Sequence, residues 1–152
     1  MIFHKALITT ATFAGLLASG VALAHSDAYL DTQTAPHGGQ LRMTASYHLE
    51  LVVTGPGQQA RSNPVVVHVT DHAGAKLSTA EAKGVVTLLA GKSRTTVQLK
   101  PDGDNRLKGA GVYASTPDMK AIVSVTLPGK ATEQARFTPF ARQADHSDHA
   151  AH

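Results

Sequence analysis

The stretch YHLELVV at residues 47–53 decides the fold class of this chain. Its large apolar side chains alternate with His48, Glu50 and Val52, and a period of two is typical of a strand with one buried face. The preceding run Leu41–Ala45 alternates in the same way, so we expect two strands that form a hairpin through Thr44–Tyr47. In this arrangement His48 and Glu50 share the face away from the core.

Further strand-like runs follow at regular intervals, separated by Gly-, Pro- and Asp-rich turns. The segment 75–83 is ambiguous, because its composition fits either one helical turn or irregular structure. Helical periodicity is almost absent elsewhere, so the sequence predicts an all-β antiparallel sandwich or barrel of about seven or eight short strands. The remaining predicted strands are Val65–Thr70, Val85–Leu89, Thr95–Leu99, Leu107–Tyr113, Ile122–Leu127 and Ala131–Phe137.

Composition narrows the functional classes. The chain has 152 residues, which suggests one folded domain, and it contains nine His and no Cys. Without Cys it is not a disulfide scaffold, an iron–sulfur protein or a cysteine-dependent enzyme. Charged residues make up only 16% and the formal net charge is +3, so we expect no nucleic-acid partner.

The N-terminus has the organisation of a secretory signal. Lys5 precedes an apolar, small-residue stretch that ends in Ala22-Leu23-Ala24, an A-x-A cleavage pattern. The competing interpretation, a transmembrane anchor, is weakened by the short length of the stretch and its threonines. We expect residues 1–24 to be removed, 25–39 to form a flexible arm, 40–140 the β-domain and 141–152 a flexible His-rich tail, with no membrane span in the mature chain.

The first candidate metal site combines His37, His48 and Glu50. Neutral imidazole is a common ligand of divalent Cu, Zn, Ni and Co. His48 and Glu50 lie two residues apart on one strand face, and the turn at Gly38-Gly39 allows His37 to fold back beside them. The alternative is two unrelated surface histidines and a solvated glutamate.

Further candidate ligands lie at the two ends of the mature chain. Cleavage after Ala24 would make His25 the first residue, with its α-amine and imidazole available to one metal ion. The tail places His146, His149 and His152 at every third position, a His-rich pattern typical of metal capture. A frayed terminus and a plain soluble tail are the alternatives.

Two other histidines are assigned differently. His68 alternates onto the face opposite Val65, Val67 and Val69, and we interpret it as a structural strand residue. His72 lies in a predicted turn, where we expect it to be solvated, although a loop position can bring it near another cluster.

Motifs of catalysis are missing from the sequence. It contains no G-x-S-x-G elbow, no phosphate-binding loop of the Walker type and no dinucleotide-binding glycine pattern. A zinc hydrolase needs three fixed protein ligands and a nearby base, and the sequence fixes at most two ligands. We therefore expect that the protein is not an enzyme.

Two short motifs carry a resemblance to known proteins. Ala35–Gln40 (APHGGQ) followed by Tyr47–Val52 (YHLELV) resembles a motif in small periplasmic proteins associated with heavy-metal efflux. A similar motif occurs near the N-terminal region of adaptor subunits of cation-efflux RND pumps. The segments 67–74 (VHVTDHAG), 101–103 (PDG) and 123–129 (VSVTLPG) resemble compact immunoglobulin-like periplasmic domains. The adaptor's helical hairpin and membrane-fusion barrel have no counterpart in this chain.

The resemblance implies an immunoglobulin-like sandwich in the periplasm that binds heavy metals, with His37, His48 and Glu50 as the matching positions. Together with the residue patterns it predicts a protein that buffers a divalent transition metal (Cu, Zn, Ni or Co), delivers it, or assists its efflux and resistance. Its partners would be the metal ion and a component of a cation-efflux system. The rival hypothesis is an immunoglobulin-like interaction or assembly module of the cell envelope with incidental histidines.

Overall fold

The computed structural model describes residues 26–141, and these form one short helix and eight antiparallel strands. The predicted signal 1–24, His25 and the tail histidines His146, His149 and His152 lie outside these residues. The elements are α1 (Asp27–Asp31), β1 (Gln40–Met43), β2 (His48–Val53), β3 (Gly57–Thr70), β4 (Lys83–Ala90), β5 (Ser93–Pro101), β6 (Arg106–Ser115), β7 (Lys120–Thr126) and β8 (Glu133–Phe137).

The strands follow the order β1-β2-β3-β6-β5-β4-β7-β8. The strands β4, β5 and β6 are consecutive neighbours, and β3 lies beside β6 while β7 lies beside β4, so two Greek-key units overlap. One layer contains β1, β2, β3 and β6, and the other contains β4, β5, β7 and β8. The end of β5 pairs with the start of β6, so the two layers are joined into one sheet that folds over itself. This arrangement confirms the predicted antiparallel sandwich and its number of strands, and Greek-key connections are also those of immunoglobulin-like sandwiches.

The core lies between the two layers and consists mainly of Val and Leu side chains from alternate strand positions. On β2 the buried positions include Leu49 and Leu51, as the period of two predicts. Tyr47, fully buried, donates a hydrogen bond from its hydroxyl to the carbonyl of Val125 on β7 at 3.1 Å. This bond ties one layer to the other.

Side chains also connect the two edge strands of the sheet. The Gln40 side-chain oxygen accepts a hydrogen bond from Thr138 N at 2.8 Å, next to the end of β8. The Glu133 carboxylate at the start of β8 accepts one from Ser46 N at 3.0 Å, in the turn between β1 and β2. These contacts bring β1 and β8 together and give the sandwich a barrel-like closure.

The N-terminal arm and β1 differ from the sequence prediction. Within the predicted arm, residues 27–31 form a helix capped by the Ser26 hydroxyl, and Leu30 is buried. On β1 the inward position belongs to Arg42, which pairs with Leu49, whereas Leu41 and Met43 face outward. Arg42 is tolerated there because Asp31 of α1 binds its guanidinium at 2.6 Å.

Burial opposes ionisation of Asp31, but hydrogen bonds from Arg42 and Gln40 hold the pKa of this carboxyl below its ordinary value. The helix is therefore attached to the sandwich by an ion pair as well as by an apolar contact.

Strand β3 is longer than predicted. It begins at Gly57 rather than at Val65, because the polar residues 57–64 pair with β6 and their side chains remain largely exposed. A register irregularity between Gly57 and Arg61 accommodates this extension. Of the ambiguous segment 75–83, residues 75–82 are irregular, with one isolated bridge between Thr70 and Lys76, and Lys83 begins β4. Residues 26–141 contain no helix with the length and hydropathy needed to cross a bilayer.

Candidate metal centre

A polar cluster occupies the outer face of β2 and β3. The strand register places Glu50 opposite His68, and His68 opposite Arg106 on β6. Directly paired residues of antiparallel strands project from the same face, with Cβ atoms about 4.5–5.5 Å apart. The sheet itself therefore brings Glu50 and His68 together, although they are 18 positions apart in the sequence.

The loop that precedes β1 folds over this face and is held by Glu50. One carboxylate oxygen, Oε1, accepts hydrogen bonds from His37 N at 2.8 Å and from Gly39 N at 3.0 Å. The other, Oε2, lies 2.8 Å from His37 Nδ1. Glycine is required at position 39 because a Cβ there would overlap the backbone carbonyl of Leu51.

This contact determines the tautomer of the neutral His37 ring. A carboxylate only accepts hydrogen bonds, so Nδ1 carries a proton, and the neutral form of the ring presents the lone pair of Nε2. The side chain of His37 is 44% exposed while that of Glu50 is 4% exposed. The buried carboxylate thus orients an accessible imidazole, the arrangement that metal-binding histidines commonly have.

The ring of His37 stacks on the ring of His68. Their centroids are 3.6 Å apart and the planes differ by 2°. Two donor atoms that share a tetrahedral ion at about 2.0–2.1 Å are roughly 3.3 Å apart. Because imidazole lone pairs lie in the ring plane, the two stacked rings must open away from the parallel arrangement before both can bind one ion. Burial, followed by the nearby His37, lowers the pKa of His68, while the Glu50 carboxylate opposes the shift. His68 is therefore neutral, the form that binds metals.

The two rings border a shallow cleft of about 230 Å³. Its other walls carry charges of both signs, with Arg106 paired to Asp102 at 2.9 Å and Lys76 near Asp104 at 3.8 Å. The nearby cations disfavour further protonation of His68. Their partner carboxylates offset much of this positive charge, so the cleft does not exclude a cation.

His48 lies on the same outer face but its ring contact is with a different histidine. The centroids of His48 and His72 are 5.0 Å apart, with the planes tilted by 35°. His72 is exposed, as predicted, and its Nε2 lies 3.2 Å from the carbonyl oxygen of Thr44. The face therefore carries two histidine pairs, His37 with His68 and His48 with His72.

The predicted set His37, His48 and Glu50 is thus changed in two respects. Glu50 contacts His37 as predicted, but both of its oxygens already accept hydrogen bonds from the His37–Gly39 loop. His68, which the sequence assigned to a structural role, is the ring nearest to His37. The signal that indicated its outward position was its alternation with Val67 and Val69, but strand pairing with Glu50 was not visible in the sequence.

Among residues 26–141, no three or more His, Cys, Asp or Glu side chains are grouped so as to hold a metal ion together. Comparisons with protein families, with curated proteins and with solved structures find no match for this chain.

Proposed function

We propose that this is an exported, periplasmic protein that binds a divalent transition-metal cation through histidines and buffers it or passes it on. One observation carries the proposal: His37 Nδ1 donates a hydrogen bond to the buried Glu50, and the His37 ring stacks on the neutral ring of His68. A carboxylate behind an accessible imidazole fixes the tautomer and raises the basicity of the ligand.

In this proposal His37 and His68 are the protein ligands and Glu50 positions His37. Glu50 is not assigned as a ligand, because its oxygens hold the loop. Imidazole donors favour Cu, Zn, Ni and Co over the hard cations Mg and Ca. The chain has no Cys to add a thiolate.

Two imidazoles leave coordination positions for water or for ligands from elsewhere. Structural zinc sites are closed by four protein ligands, whereas a site with open positions exchanges its ion more readily. An open site suits a cargo that is handed to another protein, such as a component of a cation-efflux system. His25 and the tail histidines remain proposed auxiliary ligands that capture ions and raise their local concentration.

The experiment is a calorimetric titration of the protein with Cu(II), Zn(II), Ni(II) and Co(II). To isolate the sandwich, the five histidines outside the described residues (His4, His25, His146, His149 and His152) are replaced by Ala; four histidines then remain. His37→Ala and His68→Ala should each weaken binding by at least the roughly 10–100-fold that loss of an outer-shell partner costs.

Val66→Ala is the control, because it shortens a neutral side chain on the outer face of β3 and removes no proposed ligand. Far-UV circular dichroism and thermal unfolding check that each variant keeps its fold. Unchanged affinity in both His37→Ala and His68→Ala would remove these residues from the site and reject the proposal.

A further inference from the structure

The second histidine pair lies at the end of β2, where three elements meet. His48 begins β2 and pairs with Met43 at the end of β1 and with Thr70 at the end of β3. His72 follows β3 by two residues and places its ring 5.0 Å from that of His48. Two imidazoles that share a tetrahedral ion have donor atoms about 3.3 Å apart and ring centroids about 5 Å apart, so the spacing of these two rings is compatible with one shared ion.

The residue paired with His48 across β1 and β2 carries a thioether. Because Met43 and His48 are directly paired, their side chains project from the same outer face with Cβ atoms about 4.5–5.5 Å apart. Met43 is partly buried, and its neighbour Arg42 takes the inward position instead. Met119, the other described methionine, is 1% exposed and belongs to the core.

The hydrogen bond of His72 determines which of its nitrogens is available. The Thr44 carbonyl oxygen 3.2 Å from Nε2 only accepts hydrogen bonds, so Nε2 carries the proton. In its neutral form the ring then presents the lone pair of Nδ1. The hydrogen bond to the Thr44 carbonyl thus positions the His72 ring. Metal-binding histidines are commonly oriented by a hydrogen bond of this type to a backbone carbonyl.

A carboxylate lies near His72. Glu133 on β8 accepts a hydrogen bond from Ser46 N at 3.0 Å, within the turn that carries Thr44. Burial raises the pKa of the Glu133 carboxyl, but hydrogen bonds from Ser46 and Thr44 together with the charge of His72 hold it below its ordinary value. This negative charge offsets part of the charge of an ion bound at His72.

We propose that Met43, His48 and His72 form a second metal site, which takes copper. Imidazole accepts copper in either oxidation state, and a thioether adds selectivity for soft Cu(I) over Zn(II) and Ni(II). The proposal rests on the proposed function for the class of cargo, but it uses none of the ligands of the His37–His68 site. The protein would then hold copper and a second ion on one face of the sheet.

The test uses the methionine methyl groups as reporters in the background that retains only the four described histidines. ¹³C-methyl methionine NMR follows Met43 and Met119 during titration with Ag(I), a redox-inactive soft cation, and with Cu(I) under anaerobic conditions. The Met43 methyl should shift and saturate at one equivalent of the soft ion, while the buried Met119 methyl stays in place as an internal control.

Substitution separates the thioether from the imidazoles. Met43→Leu preserves side-chain volume and should weaken Ag(I) binding by roughly tenfold or more, while Zn(II) affinity at His37 and His68 stays unchanged. His72→Ala should weaken Ag(I) binding in the same direction. If Met43→Leu fails to fold, the methyl and imidazole resonances of the unsubstituted protein still provide the measurement.

Long-range ¹H–¹⁵N spectra of the four imidazoles distinguish the two proposals. A soft ion that shifts His48 and His72 but not Met43 overturns the thioether site, as does a soft ion that shifts none of the three. If Met43, His48 and His72 respond while His37 and His68 respond to none of the metals, the second site stands and the proposed function of the first fails.

Discussion

Replacing Glu50 with Gln is the sharpest perturbation of the first site, because it keeps the size of the side chain and replaces one acceptor oxygen with a donor amide group. The remaining oxygen still accepts the hydrogen bonds from His37 N and Gly39 N. The new amide donates to His37 Nδ1, where the carboxylate accepted. The His37 ring must then carry its proton on Nε2, the atom proposed to bind the metal.

Two magnitudes follow from this geometry. The two backbone hydrogen bonds change from charge-assisted to neutral, which costs roughly 1 kcal/mol each, so the free energy of unfolding should fall by about 2 kcal/mol. The His37 side chain is 44% exposed, so its own bond adds less. Loss of the orienting carboxylate should weaken metal binding about 10–100-fold, or roughly 1.4–2.7 kcal/mol.

Three measurements test this prediction. Urea denaturation gives the change in the free energy of unfolding, calorimetry gives the affinity, and imidazole ¹⁵N shifts give the tautomer of His37. Glu81→Gln is the matched control, because it removes the same charge from an exposed glutamate. A Glu50→Gln protein whose His37 keeps Nδ1 protonated and whose affinity is unchanged would refute the reasoning.

Three further outcomes are expected. Because burial, and next the nearby His37, lowers the pKa of His68 from 6.5, the unfolded chain binds more protons there at mildly acidic pH. The free energy of unfolding of the metal-free protein should therefore fall as pH decreases through about 6.5. Urea denaturation of His68→Phe should show a smaller fall with pH. Equal dependence of the free energy of unfolding on pH in the two proteins would contradict this prediction. Asp31→Ala leaves the buried Arg42 guanidinium without its principal partner and should lower the free energy of unfolding by roughly 2–4 kcal/mol, as measured by urea denaturation. A decrease below about 0.5 kcal/mol, typical of surface substitutions, would show that the ion pair behaves as a surface pair. Gly39→Ala should displace the loop, lower the free energy of unfolding by about 1–3 kcal/mol and weaken metal binding. Gly55→Ala, whose Cβ would enter open space, should leave the metal affinity unchanged. Equal metal affinities in the two variants would show that the His37–Gly39 loop is not part of the site.

The fold class was accessible from the sequence because strand alternation is a local property. The period of two in Tyr47–Val53 placed Leu49 and Leu51 in the core and His48 and Glu50 on the opposite, solvent-side face. The structure confirms the two faces, but Glu50 is buried beneath the His37–Gly39 loop. The same method failed on β1, where alternation alone favoured Leu41 and Met43 for the core. The inward position went to Arg42, because the helix α1 supplies Asp31 as a partner that local pattern does not reveal.

The partners of the histidines were decided by tertiary structure alone. Sequence spacing correctly put His37 beside Glu50, since a glycine turn and a nearby strand are local features. His68 reaches Glu50 only through pairing of β2 with β3, and His72 reaches His48 only because β3 ends beside the start of β2. Strand register is set by the core valines and leucines of both strands together, and no single segment contains that information. The sequence determined which side chains are able to bind a metal, and the sheet determined which of them meet.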